Sequence, residues 1–238
     1  MREKIVGKNI YHVLNRGVDK RKIFSEEIDY VRFVHDLFEF NNEDPAPKLD
    51  YLFKTQYSEV GLPNIGSKKE RKPRKLLVDL LAFTLMPNHY HLLIRPRNDD
   101  SLSGFMQKLN TGYTNYFNQK YRRAGALFSG KYKYVAIKSD QHFVHIPYYI
   151  HCNPLDLEKT NGNWRDRNIK SYEVALRFLN QYKWSSHQDY SGIKNFPSVT
   201  QREFLLEYFR GIEGYKQAIR QWLKDFDFES TKTIRLEE

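Results

Sequence analysis

LLVDLLAFTLMPNHYHLLIR, residues 76–95, is the stretch of sequence that decides the fold. Apolar residues dominate 76–86 and again 89–95, and Pro87 and Asn88 lie between the two runs. Two apolar runs separated by so short a turn sequence are typical of adjacent antiparallel strands. The stretch therefore predicts a strand hairpin at the centre of the protein.

The segments around this hairpin complete an order of strands and helices. Alternating apolar residues predict strands over 9–15 and 131–138, and apolar residues at helical spacing predict helices over 25–40 and 101–121. A further helix is predicted over 139–153. The order βαββαβ plus one helix predicts an α+β protein, with a ferredoxin-like antiparallel sheet and helices on one face.

Two regions lie outside this order of strands and helices. Residues 42–75 interrupt all periodicity with prolines and glycines and end in the basic run SKKERKPRK, which is typical of a loop. Helical patterns resume beyond residue 157. The sequence therefore predicts a first domain over 1–157, with an inserted basic loop at 42–75, and a helical C-terminal extension over 158–238.

Composition narrows the class of protein. The 238 residues include 39 Lys and Arg against 29 Asp and Glu, a net charge of +10, which favours a polyanionic partner such as nucleic acid. The 40% hydrophobic content is enough for a core. No apolar run approaches the roughly 18 residues of a membrane helix, and a charged N-terminus argues against a signal peptide. A soluble, intracellular protein is expected.

The first candidate for chemistry is a pair of histidines. His89 and His91 are two residues apart on a predicted strand, so their imidazoles point to the same face and can bind one divalent ion. Ordinary sheet histidines are the commoner explanation of an isolated His-x-His pair. Here the pair begins a strand beside a turn, where side chains are rigid yet accessible. With Cys152 as the single cysteine, a Cys-clustered zinc site is excluded.

The predicted helix over 139–153 offers further ligands. Tyr149 and Asn153 are four residues apart and share one helical face, which His145 also shares. The amide oxygen of Asn153 can bind a hard cation beside the tyrosine hydroxyl. A set of two imidazoles and one amide oxygen suits Mn²⁺ at least as well as Mg²⁺.

A tyrosine on this helix could act as a nucleophile. Tyrosine has a reference pKa of about 10, but it attacks phosphorus once a metal holds and polarises the phosphate. Tyr148 is the rival of Tyr149. The residue four positions after Tyr148 is Cys152, which would not join a hard-ion site, so the spacing favours Tyr149.

These residues carry a resemblance to a known family. MPNHYHLLI at 86–94 together with YIHCNP at 149–154 resembles the single-tyrosine HUH transposases and, among them, the REP-associated tyrosine transposases. YHVLNRG at 11–17, LFSGKYKYVAI at 127–137 and YKWSSHQDYSG at 182–192 are similar to the same group. The resemblance covers most of the chain apart from the predicted inserted loop.

The resemblance implies a reaction and its residues. His89 and His91 would bind the catalytic Mg²⁺ or Mn²⁺, Asn153 would complete the metal site, and Tyr149 would attack a DNA phosphate. The product would be a 5′-phosphotyrosine adduct and a free 3′-hydroxyl on single-stranded DNA near an imperfect hairpin. The same tyrosine would rejoin strands. The implied location is cytoplasmic and nucleoid-associated in a prokaryotic cell.

Two features depart from the expected pattern. Asn153 stands where smaller relatives often have Gln. Pro147 lies inside the predicted helix, where proline removes a backbone hydrogen bond and costs about 3 kcal/mol in an ordinary interior. Either the helix begins near Pro147, or a kink there helps to move Tyr149.

Several residues are candidates for contacts with DNA phosphates. Arg16 ends the first predicted strand. The basic run, which could equally be a solvated loop, supplies six more candidates: Lys68, Lys69, Arg71, Lys72, Arg74 and Lys75. The cluster of Trp184, Ser185, Ser186 and Tyr190 could stack on bases, although packing on the sheet is favoured. His12 and His187 are assigned structural roles.

The favoured interpretation is a metal-dependent transposase and endonuclease for single-stranded DNA. An alternative is a domesticated protein that binds hairpin DNA or RNA without transposition, which is disfavoured because His89, His91, Tyr149 and Asn153 are all present. A replication-initiation or mobilisation nicking enzyme is disfavoured by the motif order. Smaller relatives exchange the tyrosine helix within a dimer, whereas the long extension here favours a monomer and leaves a dimer open.

Overall fold

A four-stranded antiparallel sheet forms the centre of the protein. The computed structural model describes residues 9–45 and 73–225. The strand order is β2-β3-β1-β4, so the two inner strands are the first and third along the chain. This arrangement confirms the predicted ferredoxin-like α+β fold. The strands are β1 Ile10–Arg16, β2 Val78–Met86, β3 His89–Pro96 and β4 Lys133–Ile137.

Two helices cover one face of the sheet, as the sequence predicts. These are α1, Glu27–Glu39, and α2, Ser101–Lys120. Aromatic side chains fill the space between them and the sheet, with Phe33 lying 4.9 Å from both Tyr90 and Tyr113 between ring centroids. Successive residues of a strand point to opposite faces. Because Tyr90 points to this face, its neighbours His89 and His91 point to the other.

The opposite face of the sheet is also covered by helices. Leu81, Ala82 and Leu93 form a second core with the tyrosine-bearing helix and with the C-terminal extension. Burial on both faces explains why all nine residues of β2 are buried and why seven of them are apolar, rather than every second one. The division of the chain at residue 157 remains a prediction. The helices here are α3 Asp140–Cys152, α4 Tyr172–Gln181, α5 His187–Tyr190, α6 Glu203–Tyr208 and α7 Gly211–Asp225.

Helix α3 runs through its proline. Ser139 caps the helix, and its hydroxyl accepts a hydrogen bond from the backbone N–H of His142 at 3.2 Å. Pro147 is therefore an interior residue of α3. The alternative that the helix begins near Pro147 is wrong, because the serine cap starts it two turns earlier.

The segment around Trp184 covers the outer edge of β2. The backbone N–H of Leu85 donates to the carbonyl oxygen of Trp184 at 2.8 Å, and that of Ser186 donates to the carbonyl oxygen of Phe83 at 3.0 Å. The Ser186 hydroxyl accepts from the Phe83 N–H at 2.9 Å. This motif thus packs on the sheet, as favoured from the sequence. Within residues 9–45 and 73–225, no helix has the length and apolar character to cross a membrane.

Candidate functional site

The two predicted metal-binding histidines lie at the start of β3. His91 is fully buried and His89 is 8% exposed. Their ring centroids are 5.0 Å apart and the rings are nearly perpendicular, at 82°. His89 Nδ1 lies 2.7 Å from Asn88 Oδ1, so the turn between β2 and β3 holds this ring in place.

A third histidine joins the pair. His12 on β1 is fully buried, and its Nε2 lies 2.8 Å from His91 Nδ1. The two rings are almost parallel, at 18°, with centroids 5.1 Å apart. The sequence predicted only a structural role for His12, whereas the structure places this residue at the candidate site. His12 contacts His91 because of the register in which β1 pairs with β3. These strands are far apart in the chain, so no local spacing predicts this contact.

Helix α3 brings Tyr149 to these histidines. The Tyr149 ring is fully buried and lies 6.0 Å from His12 and 6.1 Å from His91 between centroids. Tyr148 points away from the histidines and packs 5.3 Å from Phe209 in the second core. Burial there raises the pKa of the Tyr148 hydroxyl above its ordinary value. The geometry favours Tyr149 over Tyr148 as the residue of the site.

Asn153 is tied to Tyr149 and to an arginine of the C-terminal extension. The Asn153 amide nitrogen donates to the Tyr149 carbonyl oxygen at 2.8 Å, and its Oδ1 accepts from Arg165 Nη2 at 2.9 Å. Arg165 Nη1 donates to the Tyr149 hydroxyl oxygen at 3.2 Å. One guanidinium therefore contacts both the candidate nucleophile and the candidate amide ligand.

Arg165 is held by a short hairpin that closes over Tyr149. The hairpin consists of β5, Gly162–Asn163, and β6, Asn168–Ile169, joined by a single 3-10 turn. Asp156 accepts hydrogen bonds from Arg165 Nε at 2.9 Å and Nη2 at 2.7 Å. It also accepts from the Trp164 indole N–H at 2.6 Å, which places the Trp164 ring 6.0 Å from that of Tyr149.

The sequence offers no signal for Arg165. It lies twelve residues beyond Asn153, outside any helical or strand spacing that would relate the two side chains. A glycine at the start of the hairpin permits the arrangement, because Gly162 has φ +91° and a Cβ there would lie 1.8 Å from the Asn168 carbonyl oxygen.

His145 does not face the site. It accepts a hydrogen bond from the Trp222 indole N–H at 3.1 Å and so belongs to the second core. Burial, with a smaller contribution from His142, lowers the pKa of His145.

The donor set can be tested against a divalent ion. Across the described residues, no cluster of three or more His, Cys, Asp or Glu side chains forms a metal site. The proposed set is two imidazoles and one amide oxygen, all neutral donors. Such a set fits a borderline cation such as Mn²⁺ that takes further oxygens from a phosphate. The chemistry of these donors is thus compatible with the metal that the sequence suggests, and in this structure Asn153 Oδ1 accepts a hydrogen bond from Arg165 Nη2.

The predicted phosphate contacts are dispersed. Arg16 pairs with His89 in the register of β1 and β3, at the end of the sheet that carries the histidines. Arg74 is turned inward, with its guanidinium 3.5 Å from the centroid of the Phe38 ring and bonded to the Phe38 carbonyl oxygen at 2.7 Å. Lys75 is exposed. The other four predicted contacts lie outside the described residues: Lys68, Lys69, Arg71 and Lys72.

Basic residues that the sequence did not single out lie beside Arg16. The Gly17 N–H donates to the Asn88 carbonyl oxygen at 2.9 Å, and the Asn88 side chain donates to the Lys20 carbonyl oxygen at 3.3 Å. These bonds hold the loop after β1 against the turn that precedes His89. Three consecutive exposed cations result: Lys20, Arg21 and Lys22.

Comparison with known proteins identifies a matching family and a similar solved structure. Residues 64–153 match the model of a family described as IS200-like transposases, and this segment contains both histidines of β3, Tyr149 and Asn153. The structure of a REP-associated tyrosine transposase bound to a REP hairpin is similar at 14% identity and a TM-score of 0.48, over 82% of this chain and 87% of that one. No curated protein matches the sequence.

Proposed function

We propose that this protein is a metal-dependent transposase and endonuclease acting on single-stranded DNA, supported by the match of residues 64–153 to the IS200-like transposase family model. In this proposal it cleaves and rejoins DNA near a hairpin through Tyr149. The observation that carries the proposal is the meeting of Tyr149 on α3 with the histidines of β1 and β3, at ring distances of 6.0 and 6.1 Å.

His89, His91 and Asn153 are the proposed ligands of Mg²⁺ or Mn²⁺. Because Nδ1 of each histidine is engaged by a neighbouring side chain, Nε2 is assigned as the ligating nitrogen in both. The bound cation would polarise a DNA phosphate and offset its negative charge.

Tyr149 supplies the nucleophile. Its hydroxyl oxygen forms a bond to phosphorus while the bond from phosphorus to the 3′-oxygen breaks, and the proton lost by the phenol ends on the 3′-hydroxyl. One phosphoester replaces another, so the reverse reaction with a 3′-hydroxyl rejoins the strand. In the absence of DNA, Arg165 Nη1 holds the Tyr149 hydroxyl.

DNA must displace the hairpin of residues 162–169 to react. Tyr149 is fully buried, and Trp164 and Arg165 lie over it. In the closed arrangement these side chains exclude water and unrelated phosphates from the tyrosine. The cations around Arg16 lie at the same end of the sheet as His89, and we assign them to the DNA backbone.

The arrangement supports a monomer. Tyr149, His12 and His91 meet within one chain, so the site needs no tyrosine from a second copy. Light scattering at micromolar concentration should give the chain mass of 28.6 kDa. A value twice as large would refute the monomer.

A covalent adduct on a denaturing gel tests the function. The wild-type protein is mixed with Mn²⁺ and hairpin oligonucleotides labelled at the 5′ or 3′ end. We expect the 3′ label alone to shift with the protein, since the adduct forms on the 5′-phosphate of the 3′ portion. His89→Ala should abolish the adduct and largely keep hairpin binding.

Tyr148→Phe is the matched control for Tyr149→Phe. Both remove one buried hydroxyl from the same helix, but only Tyr149 lies beside the histidines. The adduct should persist in Tyr148→Phe and disappear in Tyr149→Phe. Persistence in a folded Tyr149→Phe protein would refute the assigned nucleophile.

One observation favours a second candidate function. The complete burial of Tyr149 also suits a protein that binds hairpin DNA or RNA without strand transfer. Tight hairpin binding with no adduct at any Mn²⁺ concentration would establish that function in place of the transposase.

A further inference from the structure

We propose that His12 is a positioning residue that sets the tautomer of His91 for metal binding. In this assignment His91 Nδ1–H donates to His12 Nε2, and His91 Nε2 is the nitrogen that binds the cation. The inference rests on the proposed function, because it concerns the same metal site. It gives His12 a role in the reaction although His12 does not touch the metal.

The contact between the two rings is short and rigidly supported. His12 Nε2 and His91 Nδ1 are 2.8 Å apart, and both side chains are fully buried. In the pairing of β1 with β3, Leu14 lies opposite His91 and His12 lies opposite Leu93. His12 and His91 are therefore diagonal neighbours on one face of two inner strands, where backbone hydrogen bonds fix their separation.

The hydrogen bond has two chemically distinct forms. When His12 Nε2–H donates, His91 Nδ1 accepts, and neutral His91 carries its proton on Nε2, which then cannot bind a cation. When His91 Nδ1–H donates, Nε2 presents a lone pair. Binding of a cation at Nε2 would therefore require the second form, which His12 would stabilise by accepting the hydrogen bond from His91 Nδ1–H.

His89 shows the same arrangement with a different partner. Its Nδ1 lies 2.7 Å from the Oδ1 of Asn88. The Asn88 amide is oriented by its own donation to the Lys20 carbonyl oxygen at 3.3 Å, so Oδ1 is the acceptor facing His89. With the proposed tautomer of His91, each histidine of the pair has an acceptor at Nδ1, as metal-binding histidines generally do.

Mn²⁺ titration in the absence of DNA tests this role. Affinity is measured calorimetrically for the wild type and for His12→Leu, which fills the buried position with an apolar side chain and removes the acceptor. We expect binding to weaken about 10-fold to 100-fold, the usual effect of removing such a partner. His12→Gln, whose amide oxygen can accept from His91, should restore most of the affinity. His145→Gln is the matched control and should bind as the wild type does.

Nitrogen NMR measures the tautomer of His91, which a purely packing role of His12 would not determine. With Mg²⁺ bound, two-bond ¹⁵N–¹H correlations should show the wild-type His91 as the Nδ1–H tautomer. A wild-type His91 protonated on Nε2 under these conditions would overturn the proposal, and this measurement needs no variant to fold.

The two proposals fail in different ways. Equal Mn²⁺ affinity in the wild type and in His12→Leu, with binding lost in His91→Ala, would overturn the role of His12 and leave the metal site intact. Binding that is absent from the wild type, or unchanged in His91→Ala, would overturn the metal site and the inference with it.

Discussion

His187 should make the protein lose stability as the pH falls below 6.5. It is almost fully buried, with Nδ1 2.8 Å from the Tyr215 hydroxyl oxygen and Nε2 3.0 Å from Asn180 Oδ1. Burial lowers the pKa of His187 from 6.5 to about 3. Between these values the unfolded chain binds a proton at His187 that the folded chain does not, so protonation favours unfolding.

The magnitude follows from the difference in bound protons. One proton corresponds to about 1.4 kcal/mol of unfolding free energy for each pH unit, or ~3 kcal/mol between pH 6.5 and pH 4.5. The full contribution is present above pH 6.5. Protonation of carboxylates also destabilises the fold in acid, but a variant that lacks only His187 shares that effect.

Urea unfolding of the wild type and of His187→Gln, followed by tryptophan fluorescence, measures the effect. His187→Gln should be the less stable protein at pH 7, where it loses native contacts. The difference in unfolding free energy between the two proteins should shift in favour of the variant by ~3 kcal/mol from pH 6.5 to pH 4.5. A difference that stays constant over this range would refute the reasoning.

Two further substitutions test contacts that hold the extension in place. Ser186→Ala removes the buried acceptor of the Phe83 backbone N–H. We expect the unfolding free energy to fall by about 1–3 kcal/mol in urea titrations. An unchanged value would show that this hydrogen bond does not stabilise the edge of β2. Asp156→Ala removes the acceptor shared by Trp164 and Arg165, so amide hydrogen exchange in the β5–β6 hairpin should become faster. Unaltered exchange would show that this carboxylate does not hold the hairpin in place.

Local patterns were sufficient for most of the fold. The apolar runs on both sides of Pro87 and Asn88 predicted β2 and β3, and helical spacing predicted α1 and α2. These features depend on residues close in sequence, which periodicity describes directly. The four-residue spacing likewise related Tyr149 to Asn153, although Asn153 lies just past the end of α3 and not within it.

Contacts between distant segments were beyond such patterns. His12 meets His91 only through the register of β1 and β3, and Arg165 reaches Tyr149 only because a hairpin of the extension folds back over α3. Neither contact follows from a spacing along the chain. The sequence also assigned Arg74 to DNA, but an arginine beside a loop gives no sign that it will pack on the ring of Phe38.

In the proposed function, burial of the Tyr149 hydroxyl would make recognition of DNA a condition for reaction. Uncovering it requires breaking the contacts of Arg165 with Tyr149 and Asn153, and that free energy has to come from interactions made elsewhere along the DNA. A short or poorly matched strand would bind without supplying it. Selectivity between DNA substrates would then appear in the rate of adduct formation more than in the affinity, since a loosely held strand would leave the nucleophile covered.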